Sequence, residues 1–268
     1  MQDILQEIII QKRLEVARQM TIVPMEKLEE QLPDAMKRAT ISMRAALATS
    51  TSGIIAEFKR KSPSKGWIFP DARITEIVPE YESAGASACS ILTDSQYFGG
   101  SLDDLRSARQ LVKLPLLRKE FIIDPYQLVE ARAAGADAVL LIAAVLSPAE
   151  CLTLAERAHA LQLEVLLEVH TEKELGHLNP MIDMLGINNR NLGTFETSLD
   201  HSFNLAEKVK KLKTNVLLVS ESGISHSSTV NQLRKQGFRG FLIGETFMRS
   251  AAPGKALTEF LKGIDHDY

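Results

Sequence analysis

From residue 53 to the C-terminus, short apolar, β-rich runs alternate with segments whose apolar residues fall at helical spacing. This alternation is the strongest constraint on the fold, because strands that alternate with helices can lie parallel only if a helix carries the chain back each time. Eight such runs are present: 53–59, 86–93, 114–119, 138–143, 163–169, 184–188, 216–220 and 240–244. Helices are expected after each, over 72–84, 101–112, 125–134, 147–161, 171–178, 200–211, 226–236 and 253–262. Ser147, ahead of Pro148 and Glu150, and Thr171, ahead of Glu172 and Glu174, have the pattern that caps a helix start. Gly85, Gly135 and Gly237 each stand where a helix gives way to a strand, the place of a left-handed cap. The repeat, roughly 21 to 34 residues, is too irregular for a solenoid and normal for a (β/α)8 TIM barrel. An open doubly wound sheet is the rival, but it would place a glycine-rich phosphate loop after the first strand, where this chain has Arg60-Lys61-Ser62-Pro63-Ser64-Lys65-Gly66.

The chain of 268 residues is then one domain: residues 51–268 form the barrel, and residues 1–50 form a helical extension packed on it, with Ile4 and Ile8, then Leu28 and Leu32, at helical spacing. With 31 basic and 34 acidic residues the net charge is -3, which offers no basic face for nucleic acid or an anionic membrane. Cys89 and Cys151 are too few for a disulfide framework or a zinc site, and no apolar run is long enough to span a bilayer. A cytoplasmic, monomeric protein without metal or cofactor is expected.

Residues two apart in a strand share a face, so spacing becomes geometry. Ile55, Glu57 and Lys59 share one parity, as do Leu117 and Lys119, Leu166 and Glu168, Gly186, Asn188 and Arg190, and Val219 and Glu221. If these faces are the barrel interior, three cations and three carboxylates meet at the C-terminal mouth, where barrel enzymes carry their chemistry. Burying that many charges for stability alone is costly, so a catalytic role is favoured. Glu221-Ser222-Gly223-Ile224 after the seventh run and Gly244-Glu245 after the eighth, followed by room for one extra helical turn before Pro253, fit a barrel phosphate site.

At this point the sequence resembles the indole-3-glycerol-phosphate synthase family, from about residue 50 onward. The resemblance rests on Glu57-Phe58-Lys59-Arg60-Lys61-Ser62-Pro63-Ser64-Lys65-Gly66, Tyr97-Phe98-Gly99-Gly100-Ser101, Leu105-Arg106, Arg118-Lys119-Glu120-Phe121-Ile122, Leu167-Glu168-Val169-His170, Gly186-Ile187-Asn188-Asn189-Arg190-Asn191-Leu192 and Glu221-Ser222-Gly223-Ile224. It implies a ring closure without cofactor that converts 1-(2-carboxyphenylamino)-1-deoxyribulose 5-phosphate into indole-3-glycerol phosphate with loss of carbon dioxide and water. Carried over by position, Lys119 is the general acid toward the ketone oxygen, its pKa lowered by Lys59 and by desolvation. Lys59 holds the anthranilate carboxylate and protonates a leaving hydroxyl. Glu57 and Glu168 are acid/base carboxylates in either order, and Asn188 holds sugar hydroxyls and steadies Glu57.

The same resemblance assigns Ser222, Gly223, Gly244 and Glu245 to the phosphate, with Ser222 also counted in the catalytic set. Arg190 and Glu221 join the substrate contacts together with Ser62, and Phe98, Phe121 and Leu140 form the slot for the aromatic ring. The loop over residues 60–71 is expected to close over substrate, carrying Lys61 and Lys65 near an anion. Glu245 and Glu120 stand where the family often has Ser and Asp, so only the backbone N–H of Glu245 is assigned. Three rivals remain: a sister isomerase, which would need a cysteine where Glu57 and Lys59 stand, a Schiff-base aldolase using Lys119, and a phosphate-binding barrel without turnover.

Overall fold

The computed structural model describes residues 4–190, 197–212 and 214–265, so Asn191 and Leu192 of the Gly186 motif lie outside the described residues. Four helices come first: α1 (Ile4–Ile22), α2 (Met25–Glu29), α3 (Leu32–Lys37) and α4 (Met43–Thr49). Strand β1 (Ile54–Phe58) is followed by a small hairpin, β2 (Lys61–Ser62) with β3 (Gly66–Trp67), and by α5 (Ile74–Ala84). Next come β4 (Ala88–Leu92), α6 (Ser95–Phe98), α7 (Leu102–Leu111), β5 (Leu116–Lys119), α8 (Pro125–Ala134), β6 (Ala138–Ile142), α9 (Pro148–Ala160) and β7 (Glu164–Val169). The chain ends with a 3₁₀ turn (Lys173–His177), β8 (Met184–Asn188), α10 (Leu199–Lys211), β9 (Leu217–Glu221), α11 (Ser227–Lys235), β10 (Phe238–Ile243), α12 (Glu245–Met248) and α13 (Pro253–Leu261).

Eight strands pair in parallel in the order β1-β10-β9-β8-β7-β6-β5-β4, and β4 closes on β1 through Ile55↔Ala88 and its neighbours. A TIM barrel is thus the observed fold. Alternation along each strand sorts side chains into two cores. Ile55, Leu117, Leu166 and Val219 fill the interior with Ala88, Leu140 and Leu242, while Ile54, Ala56 and Phe58 face the helices. Because both faces are covered, the central strands read as continuous apolar runs rather than as alternation.

The helices begin and end where their caps dictate. Ser147 and Asp124 each close a capping box, and Gly85 and Gly135 take φ of 100° and 95° at the ends of α5 and α8. One expected helix is different. Over 171–178 the chain makes only the 3₁₀ turn Lys173–His177, and Thr171 caps nothing, since the turn starts from Glu172 in a helical conformation without a side-chain cap. Gly176 weakens an α-helix there, Pro180 ends it, and the Glu174 carboxylate is already taken by the His170 N–H at 2.6 Å.

The extension seals both ends of the barrel. Met43 and Leu47 of α4 enter the interior core at its foot. Helix α1 buries Leu5, Ile8, Lys12 and Val16, one face at helical spacing, and reaches the mouth. No helix among the described residues is long and apolar enough to cross a membrane. Cys89 and Cys151 are free and buried.

Candidate active site

Since Ile55, Leu117, Leu166 and Val219 point inward, the next residues of the same parity must also face the interior, now at the C-terminal rim. The rim side chains Glu57, Lys59, Lys119, Glu168, Asn188 and Glu221 all line one cavity of about 660 Å³. Lys119 Nζ donates to Glu168 Oε2 at 2.7 Å and to Glu221 Oε2 at 3.0 Å, and Lys59 Nζ lies 2.6 Å from Glu57 Oε1. Two glycines make room for these carboxylates. A Cβ on Gly186 would overlap Glu221 Oε1, and one on Gly244 would stand 2.5 Å from Glu57 Oε1.

Electrostatics at the rim follow from this packing, and they reverse one expectation. Burial alone pulls Lys119 down, but Glu168, Glu221 and Glu57 together outweigh it and hold the ammonium above its ordinary value. Lys119 is therefore a firmly protonated lysine, its pKa raised rather than lowered. Glu168 is held well below the carboxylate range: burial pushes it up, but Lys119, His170 and a hydrogen bond from Asn188 pull it further down. Burial and the negative charges of Glu168 and Glu57 push Glu221 up against the pull of Lys119, and its Oε1 has no hydrogen-bond partner among the described residues.

Asn188 is positioned differently from expectation as well. Its side chain bonds Glu168, and its Oδ1 accepts from the Arg190 N–H at 3.0 Å, so the residue it steadies is Glu168 and not Glu57. Arg190 reaches Ser64 Oγ at 2.7 Å and, among the described residues, only one carboxylate, Glu245, at 3.5 Å. Glu245 is also within 3.3 Å of Arg249, so its charge is neutralised beside the expected phosphate position.

Apolar and polar ends divide the cavity. Phe98 and Phe121 pack with ring centroids 6.1 Å apart, and Leu140 lies in the same wall. At the other end Ser222 and Gly223 both take positive φ, 66° and 75°. A serine in that conformation costs about 1–2 kcal/mol, and the turn is held by Asn189, whose Nδ2 donates to Ser220 Oγ, Glu221 O and Ser222 O at 3.0 Å each. Gly244, Glu245 and Thr246, from the start of the short α12, lie beside that turn.

The hairpin β2–β3 closes the first loop over this end. Arg60 anchors it with a bidentate pair to Asp104 at 2.7 and 2.9 Å. Lys65 lines the cavity as expected, but Lys61 does not: it donates to Gln96 O and stands over the Trp67 ring. Ser62 is buried, and its Oγ has no partner among the described residues. The fifteen residues assigned from the sequence to catalysis or substrate contact all line this cavity.

Sequence reasoning missed the roof. Ile4, Leu5 and Ile8 of α1 line the apolar end, and Lys12, one turn further on, is only 2% exposed. Its ammonium reaches Glu15 at 2.9 Å and Asp94 and Glu120 at 3.0 Å each, which raises its pKa despite burial. Glu120 follows Lys119 in the chain, so this buried cluster ties the roof to the rim. A lysine on the apolar stripe Leu5, Ile8, Val16 was the available signal. His170 was also missed as a partner: Nε2 lies 3.4 Å from Glu168 Oε1, and Glu174 and Glu168 hold its pKa up against burial.

Comparison with known proteins agrees with this geometry. The indole-3-glycerol phosphate synthase family profile matches residues 5–260. The chain is 58% identical over 264 residues to an indole-3-glycerol phosphate synthase of Bacteroides thetaiotaomicron, covering 98% of this chain and 100% of that one. It is 43% identical over 271 residues to the protein of the same name from a Polaromonas species, covering 99% and 100%. Among solved structures, a mutant tryptophan synthase α-subunit from Pyrococcus furiosus superposes with a TM-score of 0.59 at 16% identity, over 79% of this chain and 98% of that chain, a likeness of fold alone.

Proposed function

The chain belongs to the indole-3-glycerol phosphate synthase family, and on that premise we propose how its residues divide the reaction. The enzyme is a carboxy-lyase of tryptophan biosynthesis that acts on a phosphorylated small molecule. The observation that carries the proposed mechanism is the pairing of two rim lysines with rim carboxylates in one cavity: Lys119 with Glu168 and Glu221, and Lys59 with Glu57.

The substrate is anionic at both ends. Its phosphate is proposed to lie against Ser222, Gly223, Gly244 and the backbone of Glu245, with Arg190 and Ser62 close by, and its aromatic ring between Phe98, Phe121 and Leu140 under the α1 roof. Lys59 then holds the ring carboxylate, and Glu57 keeps Lys59 in place. Bringing ketone and ring carbon together in this slot supplies much of the rate, since orientation replaces a chance encounter.

As the ring carbon attacks the ketone, negative charge grows on the ketone oxygen. Lys119 donates its hydrogen bond there and transfers the proton as the bond forms. Its raised pKa does not obstruct this step, because a developing alkoxide is far more basic than a lysine amine. Loss of carbon dioxide restores the electron pair to the ring. In the final dehydration Lys59 protonates the leaving hydroxyl, while a carboxylate, Glu168 or Glu57, removes the ring proton. Asn188 fixes Glu168 and a sugar hydroxyl.

A lysine kept protonated is a poor nucleophile, so borohydride with a carbonyl substrate is expected to trap nothing on Lys119. Adding the carboxyphenylamino deoxyribulose phosphate and following indole fluorescence tests the mechanism. The wild type is expected to give the signal, and Lys119→Ala to lose about 10³-fold or more in rate. No signal from the wild type sinks the activity, and an unimpaired variant sinks the role of Lys119.

A cytoplasmic monomer is the accompanying proposal. Its supports are two buried, unpaired cysteines and, among the described residues, only seven exposed large apolar side chains, drawn from several different elements. Extension and barrel are read as one folding unit, expected to give one unfolding transition. Light scattering and a thermal melt check the two points.

A further inference from the structure

The foot of the barrel carries a second concentration of charge, at the opposite end from the catalytic rim. A cleft of about 480 Å³ opens between α3, α7 and α8 and is lined by Arg38, Arg106, Arg109 and Arg132. Asp137, which leads into β6, is the carboxylate that two of these groups, Arg38 and Arg109, share. Its Oδ1 takes Arg38 Nη1 at 2.7 Å and the Ile41 N–H at 3.0 Å, and its Oδ2 takes Arg109 Nη1 at 2.8 Å and the Leu116 N–H at 2.9 Å. With four donors it has little capacity left. Asp34, also in the wall, is paired with Lys37 at 2.6 Å, and Arg106 with Asp103 at 2.6 Å.

Arg132 is the unusual member. It is fully buried, makes no ion pair among the described residues, and its Nη1 has no hydrogen-bond partner among them. Its other nitrogens rest on neutral acceptors: Nη2 on Arg38 O at 2.7 Å and Gln162 Oε1 at 3.3 Å, and Nε on Met36 Sδ at 3.4 Å. A staple joining the extension to the barrel accounts for Arg38, which bonds Asp137 and Ala136 O, and a brace within the barrel accounts for Arg109, which bonds Asp137 and Val112 O. It does not account for a buried cation with an unused N–H beside two other guanidinium groups. Withdrawing such a charge from water costs several kcal/mol unless an anion answers it, and a stack of forked N–H donors matches the oxygens of a phosphoryl group.

We propose that this cleft is a second anion site, taking a phosphoryl dianion, either free orthophosphate or a small phosphate monoester, at the guanidinium groups of Arg38, Arg106 and Arg109, with the buried charge of Arg132 behind them. Ser107 and Gln110 of α7 stand in the same wall. Occupancy would tie α3 of the extension to α7 and α8 of the barrel without touching the catalytic rim. The site is independent of the mechanism proposed above.

Titration calorimetry of the full chain at low ionic strength, with orthophosphate in one series and glycerol 3-phosphate in another, tests this. Two classes of site are expected in the wild type, one at the rim and one at the foot. Arg106→Glu, at a half-exposed position, is expected to weaken one class by tenfold or more while leaving turnover and the other class unchanged. Ser107→Glu serves as a second variant, should the first fail to fold. Binding of only one of the two ligands at the foot assigns the site to that source. A single class that Arg106→Glu weakens upholds the foot site and removes only the rim phosphate site; binding that survives both substitutions unweakened, or no binding at all, overturns the proposal.

Discussion

Gly186 on β8 faces Glu221 on the neighbouring β9 so closely that any side chain at residue 186 would occupy the position of Glu221 Oε1. The strand thus gives up a side chain to seat a carboxylate that reaches Lys119 at 3.0 Å. Gly186→Ala is expected to keep the fold but push Glu221 off Lys119. A displacement of about 1 Å at such a site costs on the order of 10²-fold in kcat/KM. Steady-state kinetics beside a circular dichroism spectrum checks this, and an alanine variant with wild-type kinetics would falsify the packing argument.

Glu221 should also leave a mark on stability. Burial, with the neighbouring carboxylates, pushes its pKa from 4.5 up to about 7. Between those values the native state holds a proton that the unfolded chain has released, so this group's contribution is full below about pH 4.5 and is lost as the pH rises through 7. His170, also raised, acts in the same direction, so the comparison is made with Glu221→Gln, in which His170 is unchanged. The Tm of the variant relative to wild type should climb from pH 5 to pH 8, and a difference that stays constant over that range would refute it.

His170 supports the ionised form of Glu168 from 3.4 Å. In His170→Asn that support is gone, the Glu168 pKa rises, and the acid limb of kcat shifts to higher pH while the rate near pH 8 changes little. Full pH–rate profiles of both proteins are the measurement. A uniform loss at every pH would mean that His170 is only a packing residue.

Lys12 is the counter-charge for Asp94 and Glu120 in a buried cluster. Lys12→Met leaves Asp94 without its cation and Glu120 with only Arg118, at 3.9 Å, a change that costs about 3–5 kcal/mol. Urea unfolding should show that loss at pH 7 and a smaller one toward pH 4, where Glu120, no longer held down by Lys12, protonates. A loss below about 1 kcal/mol would show the cluster to be hydrated and weak.

The residues lining the cavity were legible because their placement is a matter of alternation within a strand: once Ile55 and Leu117 are interior, Glu57 and Lys119 must follow. The turn at Ser222-Gly223 was legible for a similar reason, since its position after the seventh barrel strand brings it to the phosphate end. What alternation could not supply was what each side chain meets. Asn188 was matched to the wrong glutamate, and Lys61 was sent to an anion when its reach ends on Gln96 O and the Trp67 ring. Local competition decided the short turn at Lys173–His177, where Gly176, Pro180 and the His170–Glu174 bond overrode a helical spacing.

The sequence by itself determined a closed barrel of eight parallel strands and the list of charged groups on its rim, because the period of a strand and the return helix between strands are local properties of the chain. Only the tertiary structure decided the protonation state of Lys119, the seat of Glu221 against Gly186 and the roof that Lys12 ties down. These depend on groups far apart in the chain, Lys119 and Glu221 being 102 residues apart, brought together where water is scarce. There Coulomb energies between neighbours, and not the intrinsic preferences of each residue, set the outcome.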